Sequence, residues 1–231
     1  RTCRSALMRN KSYFFKLFFS IVPLKAAAVV SREISRRLYS NETFIIHQFD
    51  LTRPFTIPEP SILINVRQLS ESDIPRLLSL NDPDIDLTDI RNRMERLLLI
   101  QAAIPTCYVG VTDGGQPCVM CWLINHTAND KLQRHFKGGL MRVKQGEVLC
   151  ENIFTHREYR NRQLMQYLTF RLFEKAALDG AQKAFAYIKA DNRASLTASK
   201  QIGWRPCGVK KVRWRLFRRQ ITFSLTAGTY N

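Results

Sequence analysis

From residue 62 to residue 226 the apolar positions switch between a spacing of two and a spacing of three to four, the mark of strands alternating with helices. The β-rich run ILINVRQL (62 to 69) leads into SESD (70 to 73), where Ser70 is placed as an N-cap and Asp73 follows ahead of Ile74, Leu77 and Leu78. Ile90, Met94, Leu97 and Leu98 predict a helix over 86 to 102, with acidic residues at its start and Pro105 beyond its end. CYVGVTDGGQPCVMCWLI (107 to 124) reads as a hairpin, because Asp113-Gly114-Gly115 suits a turn of positive φ. GEVLCENIFT (146 to 155) predicts a strand. Leu164, Leu168, Leu172 and Ala176 then recur every fourth residue, predicting the longest helix over 161 to 179, closed by Gly180. KAFAYIKA (183 to 190) predicts a strand, NRASLTASKQIG (192 to 203) a short helix, and GVKKVRWRLF (208 to 217) with ITFSLT (221 to 226) two closing strands. Residues 125 to 145 carry neither rhythm and read as a loop.

Upstream, ETFIIHQFDL (42 to 51) predicts a strand, and TRPFTIPEPS (52 to 61), with three prolines, an extended linker. The chain therefore divides into an N-terminal extension, 1 to 61, and a main domain, 62 to 231. The extension opens on a basic, aromatic-rich run from Met8 that resembles a signal peptide, but Lys16 interrupts it and Pro23 and Lys25 end it. The apolar stretch falls short of the roughly 20 residues a spanning helix needs. Three readings stand: a basic amphipathic helix over 8 to 38 touching an anionic membrane or docking on the domain, a plain packed helix, and a cleaved targeting segment.

Composition sharpens this picture in two ways. With 45% hydrophobic and 24% charged residues the chain is a folded protein rather than a disordered one. A net charge of +17 favours anionic partners, and residues 131 to 231 alone hold 21 basic and 6 acidic side chains. Nucleic acid is disfavoured, because on a strand Val209, Lys211, Arg213 and Arg215 share one face opposite Lys210, Val212, Trp214 and Leu216, so most of that charge reads as the solvated side of a sheet. Six scattered cysteines suggest core use in a reducing compartment, and Cys118 and Cys121 on a strand point to opposite faces with no second ligand pair at zinc spacing. No metal site is expected.

The step from strand to helix at 150 to 168 holds the candidate chemistry. A helix start presents unpaired N–H groups and a positive dipole end, and Arg157, Arg160 and Arg162 add charge there. Downstream, Asn192 opens the next helix, where its side chain can cap the helix or reach a ligand.

The run from Glu151 to Gly208 resembles the core of the Gcn5-related N-acetyltransferase superfamily. It has the strand ending in Phe154-Thr155-His156, the EYR run at 158 to 160, the long helix to Gly180, the strand to Ala190, DN at 191 to 192, a short helix, and IGW at 202 to 204. With the upstream elements the likeness covers roughly 62 to 226, and the extra strand and proline linker weakly resemble a bacterial subgroup tied to surface polysaccharide biosynthesis. The resemblance implies an α/β (α+β) fold with a mixed, mostly antiparallel central sheet flanked by helices. It also implies acyl transfer from acetyl-CoA, or another acyl-CoA, to a primary amine of a small molecule such as an amino sugar, at a cytoplasmic site or the inner membrane face.

Residue by residue, it implies that the pyrophosphate rests on the turn of Arg160, Asn161, Arg162, Gln163, Leu164 and Met165, that pantetheine pairs with the backbone of Ile153, Phe154 and Thr155, and that Asn192 supplies an amide. Glu151, on the strand flanking the thioester, is the candidate base, with a raised pKa if partly desolvated; an ordinary pairing with a nearby arginine is the competing reading. Ser199 stands where a tyrosine often donates a proton to the leaving thiolate, and water or Tyr187 are the alternatives. His156, past the strand end, reads as solvent-facing. The sequence departs from the superfamily at Gln163 and Met165, where Gly and Gly or Ala are usual. Those departures leave open a catalytically degenerate module that binds an anionic partner, membrane lipid or nucleic acid.

Overall fold

The computed structural model describes residues 23–80 and 85–226. The expected N-terminal run from Met8 to Val22 lies outside the described residues. Helix α1 (Pro23–Leu38) leads into strand β1 (Tyr39–Asp50), followed by β2 (Ile64–Gln68), the single-turn helix α2 (Ile74–Leu77) and α3 (Leu87–Gln101). The hairpin β3 (Cys107–Thr112) and β4 (Pro117–Asn125) precedes α4 (Asn129–Phe136) and β5 (Glu147–Thr155). Then come α5 (Leu164–Leu178), β6 (Lys183–Lys189), α6 (Arg193–Ile202), and the hairpin β7 (Arg205–Arg215) and β8 (Arg218–Leu225).

The eight strands among the described residues form one sheet in the order β2-β3-β4-β5-β6-β1-β7-β8, antiparallel throughout except for the β5–β6 pair. A core lies on each face. Leu77, Leu78, Ile90, Leu97 and Leu132 from α2, α3 and α4 pack against Met120, Trp122 and Ile124 of β4. Leu164, Leu168, Phe173 and Ala176 of α5, with Ile202 and Trp204, pack against Val119, Cys121 and Leu123 on the other face. The period of two along β4 thus feeds both layers, as a strand covered on both sides requires.

Four expectations are corrected. The strand read as part of an N-terminal extension is an interior strand: β1 pairs with β6 on one side and β7 on the other, so residues 39–50 belong to the same sheet as the main domain. Periodicity cannot show this, because a strand's partners are distant in sequence. The stretch 125 to 145 contains α4, whose Leu132 is fully buried. The strand read to Phe217 ends at Arg215, and Leu216 and Phe217 turn at φ 47 and 64. Their amides donate to Leu38 and Arg37 carbonyls (both 2.9 Å), closing the end of α1. Finally, Cys118 and Cys121 enter the same core cluster, because Gly110 pairs with Val119 and Val111 with Pro117, leaving Cys118 as an extra residue in a bulge. Burial pushes the Cys118 thiol up to about 11, the behaviour of a packed cysteine rather than a reactive one.

Locally the Ser70 motif folds as its chemistry dictates. Asp73 accepts from the Ser70 amide (2.8 Å) and hydroxyl (2.7 Å) and from both ends of the Arg67 guanidinium (2.6 and 2.8 Å). Those donors hold its carboxyl down at about 2 against the cost of burial.

Candidate active site

The parallel pair β5–β6 is bonded only from Glu147 to Leu149 and Lys183 to Phe185. Beyond that point β5 stays with β4 and β6 stays with β1, so the middle of the sheet opens. A cavity of about 690 Å³ occupies the opening, lined by Glu151, Asn152 and Ile153 on one edge and Tyr187, Ile188 and Lys189 on the other.

Glu151 faces into this space. Its Oε1 accepts from the Asn152 side-chain amide (3.3 Å), while Oε2 is shielded from solvent and has no hydrogen-bond partner among the described residues. The residue as a whole is half-buried because its remaining atoms reach the cavity wall. Desolvation pushes the carboxyl up to about 7, opposed by the charge of Lys210 and by the backbone N–H of Asn152, which donates to it.

Next to Glu151 the strand bulges. Trp122 pairs with Glu151 and Met120 with Phe154, so Asn152 and Ile153 stand against Cys121 alone, and Asn152 adopts φ 54. Arg96 of α3 fastens the bulge: Nε donates to the Asn152 carbonyl (3.2 Å), Nη2 to the Ile153 carbonyl (2.8 Å) and Nη1 to Asn92 within its own helix (2.5 Å). Its guanidinium also lies 4.8 Å from the Phe154 ring centroid. Burial lowers its pKa to about 10, which leaves it a cation at neutral pH.

The loop after β5 reaches α5 through two left-handed residues, Asn161 (φ 62) and Gln163 (φ 60). Gln163 occupies the N-cap position and its side chain makes no bond to the first turn, so the amides opening α5 go without an N-cap side chain. Left-handed φ supplies a second reason why glycine suits position 163, beyond the room it leaves for a ligand.

The expected site residues separate into groups. Glu151, Ile153, Met165, Asn192 and Ser199 line the cavity together. Phe154 and Leu164 are buried in the two cores, so only their backbones can serve a ligand. Arg160 is turned away toward α3, where it pairs with Asp89 (2.9 Å) and contacts the Thr155 carbonyl (3.4 Å). Arg162 lies over the Tyr159 ring (5.9 Å), and its carbonyl accepts from Ser61 (3.3 Å), tying the proline-rich segment to this turn. Asn192 caps α6, accepting from the Ser195 amide (3.1 Å). The Ser199 hydroxyl donates to the Leu196 carbonyl (2.9 Å), which engages the proton a leaving group would need. His156 is partly buried rather than solvent-facing, with Nδ1 3.9 Å from Glu158 and the ring packed on Tyr159. The Tyr187 hydroxyl sits 3.2 Å from the Met141 amide, which donates to it.

Two cavity residues escaped the sequence reading. Arg96 looks like any arginine on an amphipathic helix, and nothing local marks it as buried. Lys210 left a trace: it shares a strand face with Val212 and Trp214, an apolar face on which a lysine is out of place. Among the described residues no group of three or more His, Cys, Asp and Glu is placed to hold a metal ion.

No family model matches this sequence, and no curated protein does. Solved structures share the fold. A GCN5-related glucosamine N-acetyltransferase region of a fungal multi-domain β-N-acetylglucosaminidase superposes with a TM-score of 0.52 at 12% identity, over 82% of this chain and 22% of that one. A GCN5-related N-acetyltransferase from Sphaerobacter thermophilus gives 0.48 at 12% identity, over 83% of this chain, which spans 56% of that protein's length. An aminoglycoside N-acetyltransferase solved with CoA gives 0.41 at 15% identity, over 62% of this chain and 88% of that one.

Proposed function

We propose that this chain, which carries the fold of the GCN5-related N-acetyltransferases, transfers an acyl group from a coenzyme A thioester to a primary amine of a small molecule. The observation that supports it most is Glu151: a carboxyl with one oxygen unpartnered, raised to about 7, on the wall of a cavity where the sheet opens. A base poised near neutral pH is what deprotonation of an amine requires. As the amine nitrogen bonds to the thioester carbonyl carbon and the carbon–sulfur bond breaks, the amine proton passes to Glu151 and the thiolate takes a proton from water. The Ile153 backbone amide in the bulge polarises the carbonyl, the Asn152 amide being engaged by Glu151, and Arg96 keeps the bulge in shape through the two carbonyls. The opening turn of α5, left uncapped by the Gln163 side chain, takes the pyrophosphate.

Calorimetry with acetyl-CoA and a thiol-release assay over a panel of amines, amino sugars included, test the proposal. Saturable binding with thiol release is the expected result; no binding at millimolar acetyl-CoA defeats it.

A second contact, with an anionic membrane, is proposed for the exposed edge of α1. Val30, Ile34 and Leu38 recur every fourth residue and stay exposed, and the β7–β8 turn beside them presents Leu216 and Phe217, exposed at 76% and 55%. Arg37, Arg215 and Arg218 flank this apolar edge. Sedimentation with phosphatidylglycerol vesicles should pull the protein down and phosphatidylcholine vesicles should not, and L216S/F217S should abolish the difference. Equal recovery with both lipids counts against the contact.

A further inference from the structure

The cavity continues past Glu151 to a second end, away from the α5 turn, where β1, β7 and β8 meet α1. There Lys210 is only 8% exposed, yet it lines the cavity. Its ammonium lies over the rings of Phe44 (4.5 Å) and Tyr187 (5.0 Å) and makes no ion pair or hydrogen bond with any described residue. An ammonium carries three donors, and rings satisfy none of them as an anionic oxygen does. The ammonium nitrogen itself reaches the cavity rather than being sealed in the core, so its donors are open to whatever occupies that space.

The acidic residues nearby do not fill that role. Glu42 is taken by Arg36 (3.1 Å) and Lys189 (3.6 Å), and Glu95 by Arg91 (3.1 Å). Glu151 acts on Lys210 only through space, with no contact inside 4.0 Å. Meanwhile Arg219 adds positive charge on the same wall, held in place by the Phe136 and Lys137 carbonyls (2.8 and 2.6 Å). This end therefore has an excess of cation and a set of unused donors, with the candidate base between it and the α5 turn.

We infer that the acceptor amine carries an anionic group, a carboxylate or a phosphate, which Lys210 binds while the amine faces Glu151. The inference rests on the acyltransferase reading for which atom reacts; the anion site itself rests on Lys210. Such an acceptor gives the ammonium its missing oxygen partners and fixes the direction in which the amine points. Phe44, Tyr187 and Trp214 supply the apolar walls around it.

Two matched pairs test this: glycine against glycinamide, and glucosamine 6-phosphate against glucosamine. Each is measured twice, by tryptophan fluorescence or calorimetry without acetyl-CoA, and by thiol release with it. In the wild-type protein the acidic member of at least one pair should bind about tenfold or more tightly than its neutral partner, the range of a charge-assisted hydrogen bond. The pair that responds separates carboxylate from phosphate. In Lys210→Met, which keeps the volume, that ratio should fall to near one, and Lys210→Arg should retain most of it. Equal binding of acidic and neutral members by the wild-type protein overturns the inference without any variant, and so does a ratio that survives Lys210→Met. Acid-selective binding with no thiol release keeps the anion site and removes the acyltransferase reading. Thiol release as fast from neutral amines as from acidic ones does the reverse.

Discussion

Replacing Glu151 by Gln keeps the shape of the side chain and removes its charge, so it isolates what ionising this carboxyl costs the fold. The carboxyl is raised from 4.5 to about 7, which at about 1.36 kcal/mol per pH unit amounts to about 3 kcal/mol. The attraction of Lys210 is already included in that figure. The folded state holds the proton more tightly than the unfolded state. Stability from this group is therefore fully present below about pH 4.5, declines by about 1.4 kcal/mol per pH unit, and is lost above about pH 7. Glutamine mimics the protonated form throughout. Urea unfolding of both proteins at about pH 5, 6, 7 and 8 should show similar stabilities at the acid end, with Glu151→Gln gaining by about 3 kcal/mol at the alkaline end. The same variant should lose about 10²- to 10⁴-fold in turnover, and the rise of wild-type rate through an apparent pKa near 7 should disappear. Parallel stability curves across this range would show that Glu151 is solvated and refute the reasoning, whatever the activity does.

Other predictions follow from local geometry. Gln163→Gly removes a side chain held at φ 60, relieving about 1–2 kcal/mol while adding about 0.5–1 kcal/mol of unfolded-state entropy, so a net gain of about 0.5 kcal/mol is expected from the urea midpoint. If the Gln163→Gly, Met165→Ala pair does not also tighten acetyl-CoA binding, the missing small residues never limited it. Asn192→Ala should cost about 1 kcal/mol through loss of the α6 cap, with Asn192→Asp restoring most of it; an unchanged midpoint would mean the cap contributes nothing. Arg96→Met leaves the Asn152 and Ile153 carbonyls without their donor and should cost on the order of 3 kcal/mol, with faster hydrogen exchange at residues 151 to 153 than elsewhere in β5. Uniform exchange along the strand would show that the bulge holds itself.

The elements that could be read from the chain are those whose cause is local. The helix at 164–178 announces itself because Leu164, Leu168, Leu172 and Ala176 fall on one side of a 3.6-residue turn, and four of four are buried. Asn192 and Gly203 bracket α6 because a side-chain acceptor and a residue free to take φ 92 are what helix ends need. Helix α4 was missed because its eight residues bury only Asn129 and Leu132, too few for a rhythm. The same locality hides their partners: Ser199 and Arg160 have suitable chemistry, but the Leu196 carbonyl and Asp89 that they contact are set by packing.

The amino-acid sequence by itself determined the order of the strands and of every helix from residue 62 on except α4, the closing ends of α5 and α6, and Glu151 as a carboxylate on the strand before α5. Only the tertiary structure decided that β1 enters the middle of the sheet, that β5 and β6 part after three bonded pairs, and that Lys210 and Glu151 line the same cavity so formed. The reason is physical: periodicity and capping depend on neighbours a few residues away. Burial, and with it the pKa of Glu151 and the unpartnered state of Lys210, depends on chain segments that only folding brings together.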